Sequence, residues 1–161
     1  MFKLPTDAKD WFNRIKSNGI KTPLFVDEWD LYYLCLLYGI TEGEVEVKNQ
    51  SDLKDMSKRF TKRYSASKFS MLTMLMMAHA HRLKIDLTNK KELQKVLKLF
   101  IDTDHESGLS QNAIDKMNQY AAAGYILLSA KVPVMQNSAL AITRIYNDLN
   151  KKMDSFASKF K

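Results

Sequence analysis

Several residues in this chain are of types that do chemistry. Cys35 is the lone cysteine. A nucleophilic thiol needs a cation or base beside it to lower its pKa. Its surroundings, Leu31-Tyr-Tyr-Leu-Cys-Leu-Leu-Tyr38, offer none, so Cys35 reads as core. His79-Ala-His81 follows Met71, Met74, Met76 and Met77, a set of soft donors of the kind that bind copper. Positions i and i+2 of a helix point about 200° apart, so the two imidazoles do not share an ion, and the methionines read as core filler. Asp102-Thr-Asp-His-Glu106 holds hard-metal donors without calcium-loop spacing, and reads as a polar loop. There is no Gly-rich phosphate loop, no nucleophile elbow and no paired His/Cys zinc spacing. The expectation is a protein that is not an enzyme, with no cofactor and no metal.

The remaining candidate is a basic stretch, Lys54 to Lys68. Residues 51–68 hold six basic and two acidic side chains. On a helix, Leu53, Met56, Phe60 and Tyr64 recur at spacings of 3, 4 and 4 and form one apolar stripe. Lys54, Lys58, Arg59, Lys62, Arg63 and Lys68 then fall outside it, as candidate contacts to a nucleic-acid backbone, each neutralised phosphate releasing counterions. Lysine outnumbers arginine, which suits backbone contact better than base reading. A plain solvated helix face has the same pattern.

A second cluster is aromatic: Trp29, Tyr32, Tyr33 and Tyr38, beside Leu31, Leu34, Leu36 and Leu37. Trp and Tyr anchor interfaces, so these four are the candidate partner interface; the other reading is a helix buried at the centre of its domain.

The elements that must position these residues are read as helices. Thr6 caps the first, Asp7–Ser17, which Gly19 ends and whose apolar face is Trp11, Phe12 and Ile15. The second starts at Asp27, with Glu28 and Asp30 in its first turn, and closes at Gly39. Residues 40–50 form an acidic loop; Glu44-Val-Glu-Val47 alternates like a strand but has no evident partner. The third helix follows Ser51 and runs to about Tyr64. The fourth runs from near Ser67 to about Lys84 and carries Phe69, Met71, Leu72, Met74 and Leu75. The fifth, Lys90–Asp102, is capped by Thr88 or Asn89, with Leu93, Val96, Leu97 and Phe100 opposite lysines. After a loop at 103–109, the sixth starts at Ser110, ends near Lys131 and is stopped by Pro133; its Ala121-Ala-Ala-Gly124 strip lets another helix approach closely. The last spans about Ser138–Ser158.

Composition sets the bounds. A chain of 161 residues with 45% hydrophobic side chains, five Gly and three Pro reads as one compact all-α domain, residues 1–161, of about six to seven helices. The lone cysteine, an N-terminus with no apolar segment, and apolar runs of about a dozen residues where a membrane span needs about 20 lead to the expectation of a cytoplasmic protein with no membrane partner. The formal net charge is +7; residues 1–50 carry a net −2 and residues 51–161 a net +9. That asymmetry favours a polyanionic partner or an acidic protein surface, though solubility alone also accounts for it.

The segments Trp29-Asp-Leu-Tyr-Tyr-Leu-Cys-Leu-Leu-Tyr-Gly-Ile40 and Leu109–Tyr125 resemble the small accessory subunits of multi-gene bacterial antiphage defence systems, in which a small helical protein joins a larger ATPase or nuclease and DNA. The resemblance covers two apolar helical segments, about a sixth of the chain, with no invariant chemical motif, and no functional residue is carried over from it. It implies a non-enzymatic accessory subunit of a nucleic-acid-directed complex. The alternative is a protein-protein interaction module with no nucleic-acid contact.

Overall fold

The computed structural model describes residues 1–17, 27–43, 52–131 and 138–160. Among them the chain order is β1 (Phe2–Pro5), α1 (Ala8–Ser17), α2 (Glu28–Glu42), β2 (Leu53–Ser57), α3 (Lys62–Ser65), α4 (Lys68–Leu83), α5 (Lys90–Phe100), α6 (Gln111–Lys131) and α7 (Ser138–Ser158). The fold is broadly helical, but a two-stranded antiparallel sheet departs from the all-α expectation.

Helix α2 is the centre. Asp27 caps it, accepting from the backbone N–H of Trp29 (2.9 Å) and Asp30 (3.2 Å), while the Asp30 carboxylate accepts from Asp27 N–H at 3.0 Å. This reciprocal capping box satisfies donors that a helix start leaves open. The stop is Gly43, at φ 73°, and not Gly39. Gly39 lies inside the helix, where a Cβ would sit 1.9 Å from the carbonyl oxygen of Tyr120; a Cβ on Gly124 would sit 1.8 Å from that of Cys35. The two glycines thus let α2 and α6 cross backbone to backbone, the close approach expected of the Ala121–Gly124 strip. With α6 on one side and α7 and α1 beside it, α2 buries residues on every face, including Leu31, Cys35, Leu36 and Ile40.

The small sheet ties the N-terminus to this centre. β1 pairs with β2 in the register Leu4↔Lys54 and Pro5↔Leu53, and Thr6 N–H donates to the Asp52 carbonyl at 3.1 Å. Asn118 on α6, buried, holds the arrangement with one side chain. Its Oδ1 accepts from Lys3 N–H (2.9 Å) and the Tyr32 hydroxyl (3.0 Å), and its Nδ2 donates to the Met1 carbonyl (3.0 Å).

The expected helix from Ser51 to Tyr64 is therefore not formed. Residues 53–57 are a strand, and only Lys62–Ser65 are helical. Part of the reason is local: the Ser57 hydroxyl accepts from Arg59 N–H (3.3 Å) and donates to the Arg59 carbonyl (2.7 Å). Such side-chain bonds compete with a helix for the backbone. The rest is the partner strand some fifty residues earlier in the chain.

The other helices lie close to their expected bounds. Asn89 caps α5, accepting from Lys91 N–H at 3.0 Å. Helix α4 ends on Lys84, left-handed at φ 56°. The first helix begins at Ala8, one residue later than expected. Gly19, Pro133, Ser51 and the alternating Glu44–Val47 segment lie outside the described residues, as does the side chain of Ile15.

Candidate nucleic-acid interface

Two aromatic residues carry the basic segment. The ring of Phe60 lies 5.0 Å from Trp29 and 5.0 Å from Phe2, and Tyr64 stacks 5.9 Å from Trp29. Their anchorage turns the residues between and beside them outward. Lys54 on β2, Lys58 and Arg59 in the turn after it, and Lys62 at the start of α3 are all exposed. None of these four side chains enters an ion pair or hydrogen bond among the described residues. The one acidic neighbour on β2, Asp55, is 3.4 Å from Lys3.

The other two cations of the stretch are committed within the chain. The guanidinium of Arg63 donates to the Asp30 carboxylate at 3.0 Å. Asp30 is only 4% exposed, so the charge beside it is a structural requirement. The same carboxylate accepts a short hydrogen bond from the Tyr64 hydroxyl. Burial first, and then the Asp30 carboxylate, push the Tyr64 pKa well above its ordinary value and keep it a neutral donor. Lys68 donates to the Ser107 carbonyl at 3.1 Å. The set of uncommitted cations thus shrinks from six to four, Lys54 on a strand, Lys58 and Arg59 in a turn and Lys62 at the start of a short helix.

The aromatic interface residues are placed differently from the expectation of an exposed face. Trp29 is 3% exposed, and Tyr32 and Tyr38 are fully buried. Phe2 meets Trp29 and Tyr32 at 4.9 and 5.6 Å, and the Tyr38 hydroxyl donates to Asp148 on α7 at 3.0 Å. These three are covered by the chain's own β1, α6 and α7; only Tyr33 keeps partial exposure. The central-helix reading of this segment is the one realised.

The remaining candidates stay apart. Cys35 is fully buried, and burial pushes its thiol pKa far up. His79 is buried, edge-on to Phe100 at 5.2 Å, whereas His81 is exposed and sits 5.7 Å from Phe160. His105 Nδ1 is 2.8 Å from Ser107 Oγ within its own loop. Among the described residues no three His, Cys, Asp or Glu side chains come together as ligands for one ion.

Sequence reasoning missed Phe2, Asn118 and the Asp30–Arg63–Tyr64 cluster, whose members are distant in the chain. It also counted Phe69 with the apolar content of the fourth helix, yet Phe69 is 69% exposed. Spacing gave no warning, because Phe69 lies three residues before the buried Leu72 and so on the same side of the helix. Compared with known protein families, curated proteins and solved structures, the chain matches none.

Proposed function

We propose that this chain is a non-enzymatic accessory subunit of a complex that acts on nucleic acid, and that Lys54, Lys58, Arg59 and Lys62 contact the phosphate backbone. The observation that carries this reading is the set of four solvent-facing cations within nine residues, none with a carboxylate partner among the described residues. Lysine-rich edges of this kind bind phosphates with little regard to base identity. The larger partner, an ATPase or nuclease, follows from the resemblance to antiphage accessory subunits. It supplies the chemistry, and the small chain supplies grip.

The experiment is a binding isotherm with labelled DNA over a salt series. The unchanged chain loses affinity steeply as salt rises. The pair Lys58→Glu and Lys62→Glu binds more weakly and flattens the log–log salt slope by about two, one for each cation withdrawn from a phosphate. Binding that ignores both salt and the charge reversal contradicts the proposal.

A second reading, a protein-protein interaction module, is favoured by Leu140 and Tyr146, 53% and 64% exposed on α7. Under it, DNA is not bound even at low salt, and Tyr146→Ala weakens capture of the partner subunit.

A further inference from the structure

Phe69 stands in an unusual place for a phenylalanine. Among the described residues it is the most exposed of the large hydrophobic side chains, at 69%. It follows α3 closely, because Ala66 and Ser67, the two residues joining α3 to α4, both keep right-handed helical backbone. The exposed residues of α3, the turn and the start of α4 include Lys62, Ser65, Ala66, Phe69, Ser70 and Thr73. Lys62 and Phe69 are seven residues apart in the chain, on the two helices that flank the turn at Ala66 and Ser67, and both are exposed. The ring thus follows the basic edge closely in the chain, with one short turn between them.

The ring also has a cation beside it. The ammonium of Lys68 lies 5.1 Å from its centroid, and that ammonium is itself fixed by the Ser107 carbonyl at 3.1 Å. One face of the ring thus meets a pinned cation. Most of the side chain remains accessible, at 69% exposure.

We propose that Phe69 is a stacking platform for an unpaired base, so that the basic edge takes single-stranded nucleic acid in preference to duplex. The inference rests on the reading of Lys54, Lys58, Arg59 and Lys62 as phosphate contacts. The chemistry is that of general single-strand binders: cations track the backbone while an aromatic face takes a base, whatever its identity. In a duplex the base faces are occupied by their neighbours, and the ring has nothing to stack on.

The test uses the full chain with a labelled oligothymidylate and a duplex of the same length. Phe69→Ala lowers affinity for the single strand roughly 5- to 150-fold and leaves duplex affinity unchanged. Phe69→Trp restores single-strand binding, and its exposed indole emission is quenched when the strand binds. If Phe69→Ala binds the oligothymidylate as well as the unchanged chain while the Lys58→Glu, Lys62→Glu pair does not, stacking is overturned and the basic-edge reading stands. Equal loss on both probes also overturns stacking. If the unchanged chain binds neither probe, both readings fall.

Discussion

Asp30 concentrates three requirements in one carboxylate. It completes the cap of α2, accepts the Tyr64 hydroxyl and carries the Arg63 guanidinium. Asp30→Ala is expected to cost about 3 kcal/mol, because it leaves a buried hydroxyl without its acceptor and a helix start without half its capping box. A urea titration checks this, and an unchanged midpoint refutes it. Because Arg63 serves Asp30, charge reversal there tests stability before it tests binding; Lys58 and Lys62 are the cleaner positions. His79 gives a pH prediction. Burial first, then Lys116 and Arg82, lower its pKa from the ordinary 6.5. The unfolded chain therefore takes up the proton more readily than the folded one. Stability that is present above about pH 6.5 is lost as the pH falls below it. His79→Gln should flatten the change in urea midpoint between neutral and mildly acid solution; an undiminished change would show that other groups set it. Cys35 is expected to resist thiol-labelling reagents until the chain unfolds, as its burial and raised pKa require.

At the scale of elements, the contact between α2 and α6 decides the fold. Replacing glycine by alanine inside an ordinary exposed helix gains about 1 kcal/mol. Here the sign reverses, because each new methyl would meet backbone atoms closer than 2 Å. Gly39→Ala and Gly124→Ala should each destabilise by the upper end of the ~1–3 kcal/mol that overpacking costs, or more. Thermal melts check this, and a gain in stability at either site contradicts the crossing described. The small strip Ala121–Gly124 announced the approach from α6, but Gly39 looked like a stop signal because a glycine after an apolar run fits both roles. Local pattern was enough for the helices that pack by one face: Val96 and Phe100 are buried at a spacing of four, and Asn89 caps that helix. It was not enough for β2. Leu53, Met56, Phe60 and Tyr64 have helical spacing, and what overrides it is Phe2–Pro5, a partner that no local window includes. The candidate site was legible to the same degree. The cations were visible, but which of them the fold consumes depends on Asp30 and Ser107, distant in sequence.

At the scale of the whole molecule, an acidic first third and a basic remainder are brought together by burying the central helix of the first inside the second. Helix α2 is wrapped mainly by later helices, so Trp29, Tyr32 and Tyr38 are spent on the core, and the cations of the 54–62 segment are left outside. No helix among the described residues is long and apolar enough to cross a membrane. The formal charge of +7 attracts anions over a range set by ionic strength. The most direct measurement of the central claim is the salt dependence of DNA binding by the unchanged chain and by the Lys58→Glu, Lys62→Glu pair, with circular dichroism confirming that both are folded. The account predicts steep salt dependence for the first and a weaker, flatter response for the second. Equal affinity of the two chains at every salt concentration would contradict it.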